Sequence, residues 1–366
     1  ASGLHAADRI TGPSFAMRSE VYAPKAMAAT SHPLATQIAL DVMKQGGSAV
    51  DAAIAVQLVL GLVEPESSGI GGGAFMLLFD PKTKKTTSFD GREVASSSAR
   101  PDMFLDAGGK PRTKPDAIPG GLSVGIPGVI GMLEMAHQKH GKLPWARLFQ
   151  PAIRLAEEGF PVGPKLARTI RNFKRGANMP DIKARFYHAD GTPLQQGEIY
   201  KNADYADTLK KIAAGGARAF YTGEIAQAIV GAVRAAPVNP GNMTLDDLAN
   251  FKALEREPVC GPYRMWRVCS MGPPSSGGVA IVQILGMLQR FPSSQLQPGT
   301  LSEVHLRAQA SRLAYADRAK YLGDTSAVAV PLKGLLDKGR FDADVYERMA
   351  LDSIKDYLLT LDDGTR

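Results

Sequence analysis

Arg92 stands out among the charged residues of this chain, because it follows a predicted strand and Gly91 in the segment after the glycine cluster Gly69-Ile70-Gly71-Gly72-Gly73. A guanidinium at a strand end can grip a carboxylate through a two-pronged pair, which a lysine cannot do equally well. The plain alternative is an ion pair with Glu93 or another acid. The glycine cluster itself invites a phosphate-binding reading. A dinucleotide or Walker loop, however, follows a strand and opens a helix, whose N-terminal N–H groups and dipole hold the anion. Here the glycines precede a strand and no Gly-Lys-Ser/Thr comes after them, so a tight turn with close backbone approach fits better.

A second glycine turn, Pro273-Pro274-Ser275-Ser276-Gly277-Gly278, does open a helix. It lacks the Gly-x-Ser-x-Gly elbow of a serine nucleophile, so its hydroxyls read as caps and its glycines as packing positions. The histidines are His5, His32, His137, His140, His188 and His305. His137 and His140 share a helix face, but no acid completes a His-Glu-x-x-His pattern, so they read as surface residues and no metal is expected. Cys260 and Cys269 flank a predicted hairpin. A turn centred between Arg264 and Met265 sets them opposite each other, which admits either a disulfide or two buried thiols.

The elements that must position these residues emerge from apolar spacing and turn chemistry. Residues 26–30 read as a strand, and Pro33 starts a helix that Gly46-Gly47 stops. Ser48 and Asp51 form a capping box for the next helix, which is apolar nearly all round from residue 49 to 62. Residues 74–79 read as a fully buried strand turning at Asp80-Pro81 into a partner at 85–90. Helices are predicted over 129–139, 148–158, 164–173, 203–214, 224–235 and 244–251, the last capped by Thr244 and Asp247. A hairpin over 258–271 and helices over 279–288 and 302–321 complete the pattern. The chain is therefore a mixed α/β (α+β) protein with no internal repeat and no flexible linker.

Its 366 residues, 44% hydrophobic and 22% charged, are the balance of a folded globular chain. Length alone suggests about two domains. The net charge of +7 raises nucleic acid as a partner, but the basic runs 82–85 and 168–175 form no known nucleic-acid module and read as solvated surface. No stretch has the roughly 18–20 apolar residues of a membrane span. The opening Ala1-Ser2-Gly3 would suit a terminus left by signal-peptide removal, or equally a cloning remnant.

Several of these segments, in order, resemble the γ-glutamyltranspeptidases. They are Gly46-Gly47-Ser48-Ala49-Val50-Asp51-Ala52-Ala53-Ile54-Ala55, Glu64-Pro65 with the glycine cluster, Arg92-Glu93, and Gly125-Ile126-Pro127-Gly128. Leu143-Pro144-Trp145 with Pro151-Ala152-Ile153 and Gly159-Phe160, Pro273 to Gly278, and Tyr315-Ala316-Asp317-Arg318 continue the series. The resemblance implies an αββα sandwich of the N-terminal nucleophile hydrolase type, completed by a small subunit cut from the same precursor. It implies that residues 1–366 are the large subunit with no separate internal domains, and that the nucleophilic threonine begins the other subunit. Arg92 matches the family's binder of the substrate α-carboxylate; the catalytic residues proper would lie outside this chain. The implied substrates are glutathione or other γ-glutamyl amides, with water, amino acids or peptides as acceptors. No cofactor is implied, and the implied location is periplasmic or secreted. An acylase for β-lactam side chains shares most of the motifs, and a non-catalytic binding protein of degenerate fold is the reading from a different class. The sequence departs from the family at Ser96 and Gly272, where proline is frequent, and residues 342–366 match nothing in the pattern.

Overall fold

The computed structural model describes residues 21–173 and 179–337. Ala1-Ser2-Gly3, His5, the end of the basic run at Lys174-Arg175 and the tail 342–366 lie outside the described residues. The helices begin where capping chemistry dictates. Helix α1 (Pro33–Lys44) is capped by His32, whose Nδ1 accepts the Leu34 N–H at 3.2 Å, while Pro33 occupies a first-turn position that needs no donor. Helix α2 (Ala49–Val63) has the full capping box. Ser48 Oγ accepts the Asp51 N–H at 3.1 Å and Asp51 Oδ2 accepts the Ser48 N–H at 2.8 Å.

Strands β1 (Ala74–Asp80) and β2 (Lys85–Gly91) come next, joined by a turn at which Lys84 takes a positive φ of 55°. A short helix α3 (Lys114–Ala117) precedes α4 (Val129–His140) and α5 (Trp145–Glu158). Then come β3 (Phe160–Pro161), α6 (Pro164–Asn172), α7 (Pro180–Phe186) and β4 (Ile199–Tyr200). Helix α8 (Ala203–Tyr221) extends beyond the predicted end because it kinks at Gly216 (φ 66°) and resumes; Glu134 Oε1 accepts the Ala217 N–H there at 2.7 Å. Helices α9 (Gly223–Arg234) and α10 (Leu245–Ala249) are next, the second with the predicted Thr244–Asp247 capping box. The remainder is β5 (Leu254–Arg256), the hairpin β6 (Val259–Tyr263) and β7 (Trp266–Ser270), α11 (Gly277–Leu288), α12 (Leu301–Tyr321) and α13 (Leu332–Leu335). No described helix is long and apolar enough to cross a membrane.

The chain divides into two compact units, one of residues up to Ala74 and from Gly91 to Ala253, the other of Phe75 to Asp90 and from Leu254 onward. The first is helical, with α2 against α1 and α5, and α5 against α8. Ile54, Leu58 and Leu62 of α2, Phe149 of α5 and Ile212 of α8 are fully enclosed, each such side chain contributing about 1.5–3 kcal/mol on burial. Asp51 is buried among them. Its Oδ2 also accepts the N–H groups of Lys142 (2.9 Å) and Leu143 (3.2 Å), which ties the start of α2 to the loop between α4 and α5.

The second unit holds a three-stranded sheet of order β1-β2-β5 and the β6–β7 hairpin. In that hairpin Cys260 pairs with Cys269, and a disulfide joins them. Helix α11 packs on β6 closely enough that a Cβ on Gly261 would strike Val282. Two expectations change. Residues 26–30 are in no strand; they are mostly exposed, and Thr30 Oγ1 donates to the His32 carbonyl at 2.8 Å instead of the run joining a ladder. Strand β1 is not fully buried, since Leu77 (43%) and Phe79 (58%) on one face are exposed. Its apolar run conceals the period-two alternation of a strand covered on one side.

The helical unit's polar contacts carry two stability outcomes. Asp51→Ala removes the acceptor for three N–H groups and is expected to cost about 3 kcal/mol, read as a lowered denaturation midpoint. Burial lowers the His32 pKa, with Glu64 raising it and Lys165 lowering it. Its unfolded value is about 6.5 and its neutral Nδ1 is the α1 cap. The stability from this group is thus held above that pH and lost as pH falls through the lowered folded value, because the unfolded chain then binds more protons. His32→Asn keeps a capping acceptor and is expected to flatten the fall of stability as pH drops below about 6.5, read from denaturation midpoints across that range.

Candidate active site

Three segments that the sequence holds apart meet in the first unit. The glycine run before β1, Arg92-Glu93 after β2, and the Gly125-Ile126-Pro127-Gly128 segment before α4 are joined backbone to backbone. The carbonyl of Gly72 accepts the N–H groups of both Gly128 (2.9 Å) and Val129 (3.2 Å), and Ile126 donates to the Val94 carbonyl at 2.8 Å. Glycine is required where these chains touch. A Cβ on Gly91 would lie 2.7 Å from the Gly128 carbonyl oxygen, and one on Gly128 would overlap the carbonyl of Gly91. From the far side, Tyr221 donates to the Pro127 carbonyl at 2.8 Å and accepts the Gly131 N–H at 3.2 Å, its ring stacked on Phe251. Burial pushes the Tyr221 phenol well above its ordinary pKa, so it stays protonated as a donor.

The glycine run is pinned at both ends. Gln57, the polar interruption in the apolar helix α2, donates through Nε2 to Ser68 Oγ (3.0 Å) and the Gly69 carbonyl (3.3 Å). At the other end Gly73 donates its N–H to Glu93 Oε1 at 2.8 Å. Neither residue is singled out as functional by motif reading, although a lone glutamine on a largely apolar helix is a signal that its half-buried amide has a specific partner. Gln57, Glu66, Gly69, Gly73 and Glu93 line a cavity of about 480 Å³.

Arg92 projects from this braced backbone with its side chain 57% exposed, and its Nε lies 3.4 Å from Glu93 Oε2. The ion pair with Glu93 is thus present, and an exposed pair of this kind contributes at most about 1 kcal/mol to stability. An exposed guanidinium on rigid backbone can receive a carboxylate in the planar, two-pronged manner that its donors favour.

The other candidates fall elsewhere. In the second unit Ser276 Oγ accepts from Arg318 Nε at 2.9 Å, so two of the motif segments meet there, while Ser275 Oγ accepts the Gly277 N–H at 3.3 Å. Asp90, buried at the end of β2, accepts from Arg256 Nε at 2.7 Å. His137 and His140 are not simply surface residues. Both are half-buried, and His137 Nε2 lies 2.8 Å from the Leu143 carbonyl oxygen and 3.8 Å from Asp51 Oδ1, its ring against Trp145. The Leu143–Trp145 turn folds over the helix there, which helical spacing alone does not reveal. Among the described residues no group of three His, Cys, Asp or Glu side chains could hold a metal ion.

Comparison with known proteins agrees with this arrangement. The sequence model of a family described as Gamma-glutamyltranspeptidase matches residues 35–352. The chain is 42% identical over 310 residues to a glutathione hydrolase proenzyme of Bacillus subtilis (strain 168), covering 85% of this chain and 52% of that protein. It is 39% identical over 331 residues to the glutathione hydrolase proenzyme of Escherichia coli (strain K12), covering 89% and 56%. It thus spans about half the length of the curated relatives it matches. The crystal structure of Helicobacter pylori gamma-glutamyltranspeptidase superposes with a TM-score of 0.85 at 33% identity, covering 90% of this chain and 93% of that one. With three of the motif segments joined beside Arg92 and the match running through nearly all of the described residues, this chain belongs to the γ-glutamyltranspeptidase family.

Proposed function

We propose that this chain is the large subunit of a two-chain enzyme that cleaves glutathione and other γ-glutamyl amides. The observation that carries the reading is Arg92, an exposed guanidinium on a backbone braced by the glycine run and by Gly128, in a chain of this family. A small subunit from the same precursor supplies a threonine at its N-terminus. The threonine Oγ attacks the γ-carbonyl of the substrate while its own α-amino group takes the hydroxyl proton. The amide C–N bond breaks, the proton passes to the departing amine, and a γ-glutamyl ester remains on the threonine. Water then releases glutamate, or an acceptor amino acid or peptide takes the acyl group. Arg92 forms no bond to the reacting carbon. It pairs with the α-carboxylate and so fixes how far the γ-carbonyl reaches, which is catalysis by positioning.

In this reading the two subunits share one αββα sandwich, of which residues 1–366 form the larger part, and the chain alone is inactive. The exposed Leu77 and Phe79 on β1 favour a second chain over that face. No cofactor or nucleic acid enters the scheme. The Cys260–Cys269 disulfide supports a periplasmic or secreted location, where such bonds persist.

The chain expressed as its full precursor is expected to yield a smaller partner whose N-terminal residue is threonine, by sequencing of the purified enzyme. A precursor that never cleaves would favour a binding protein, and release of nitroaniline from γ-glutamyl-p-nitroanilide in preference to a glutaryl substrate separates transferase from acylase. Arg92→Ala in the assembled enzyme removes a two-pronged charged contact and is expected to lower kcat/KM by about 100-fold or more, equivalent to about 3 kcal/mol. Near-normal kcat and KM would overturn the assignment of Arg92.

A further inference from the structure

The β6–β7 hairpin carries apolar side chains where a turn normally carries polar ones. Its end reads Tyr263-Arg264-Met265-Trp266-Arg267, and Met265 is 85% and Trp266 66% exposed. Turn chemistry does not call for these residues: Gly, Asn or Asp suit a positive φ, and the residue that takes it here, at 53°, is Arg264. The tip is nevertheless firmly held. The Cys260–Cys269 disulfide ties the two strands together. Arg264 donates its N–H to Gln289 Oε1 at 3.2 Å and its Nη1 to Ser293 Oγ at 2.8 Å, and its guanidinium lies over the Tyr263 ring. Along this part of the chain the charge has one sign. Between Glu257 and Glu303 there is no acidic residue, while Arg264, Arg267 and Arg290 are all exposed. That stretch comprises the hairpin, helix α11 packed on it and the turn at Ser293.

We propose that this tip is a docking surface for an anionic lipid bilayer, with Met265 and Trp266 seated among the headgroups and the arginines paired with lipid phosphates. Tryptophan favours the boundary between bilayer and water, because its ring is apolar and its N–H needs a polar partner. A guanidinium holds phosphate with the planar fork of donors that suits a carboxylate, and each such cation near an anionic surface strengthens binding about fivefold. The lack of acids matters as much, since a carboxylate beside the arginines would repel the phosphates. A protein partner fits this feature less well. A stable protein interface takes roughly 20–30 residues a side, whereas two apolar side chains on a narrow turn can enter a soft surface but cover little of a rigid one. The contact is peripheral. No described helix is long and apolar enough to cross a membrane, and two side chains with a few cations give reversible attachment.

The test is co-sedimentation of the protein, expressed as its full precursor, with vesicles rich in phosphatidylglycerol and with vesicles of phosphatidylcholine alone. Binding to the anionic vesicles is expected to be at least about tenfold tighter, and to be lost as salt rises from about 0.05 to 0.5 M. Trp266 reports on the contact directly. Its emission, taken as the difference between the parent and Trp266→Phe, is expected to shift to the blue on anionic vesicles and to be quenched by brominated acyl chains. Met265→Ser with Trp266→Ser, and separately Arg264→Gln with Arg267→Gln, are each expected to weaken binding at least about tenfold. Their melting temperature and elution volume are expected to match the parent, since the altered side chains are exposed. Where either pair unfolds, the Trp266 emission decides. Failure of the parent to bind overturns the proposal, and so does undiminished binding by both pairs, which places the contact elsewhere on the protein. Trp266 emission that is already blue and shielded from acrylamide without vesicles overturns it too, because the tip is then covered by another subunit or a second copy.

Discussion

Main chain pressed against main chain is the constraint on which the rest of the site depends. Gly91 and Gly128 approach so closely that neither tolerates a Cβ, and the Gly72 carbonyl serves two N–H groups at the start of α4. Such contacts leave no side-chain layer to absorb small displacements, so the positions of three distant segments are fixed together. Arg92 inherits that fixity because it comes directly after Gly91. The helices behind the site serve the same end: Tyr221 and Phe251 support the segment before α4, and Gln57 reaches from α2 to the glycine run.

A second layer of fixation lies in the buried polar groups of the helical unit. Asp51 serves the α2 cap and the loop after α4 with one carboxylate, and the donors that hydrogen-bond to it are all backbone N–H groups. Apolar packing would hold these helices together without setting their register, whereas a buried carboxylate with three defined donors admits one arrangement. The family motif around Ser48 and Asp51 and the one at Leu143-Pro144-Trp145 are therefore two halves of one structural device, and His137 closes it through the Leu143 carbonyl.

What could be read from the sequence divides by range. Caps are local, and Ser48–Asp51 and Thr244–Asp247 are where the three-residue spacing puts them. The Cys260–Cys269 register is nearly as local, because a turn at Arg264-Met265 leaves one pairing. The exposure of Leu77 and Phe79 was not legible, since an apolar run does not say whether both faces of a strand are covered. Nor were the β3–β4 pairing of two-residue strands or the burial of His137, both of which depend on segments distant in the chain. At the site, the order of motifs pointed to Arg92, but the role of Glu93 as a link to Gly73 needs coordinates, because a Glu next to an Arg reads as nothing more than a surface pair.

The pinned glycine run has a consequence for when disorder is given up. Five residues with four glycines would ordinarily keep many backbone states, at roughly 1–2 kcal/mol of conformational entropy per residue to fix them. With Gln57 at one end, Glu93 at the other and Gly128 bonded to the middle, that entropy is surrendered during folding and not when a ligand arrives. The loop most flexible by composition is thus held in place before any ligand arrives, through the Gly73 N–H on Glu93 and the Gly72 carbonyl on the N–H groups of Gly128 and Val129.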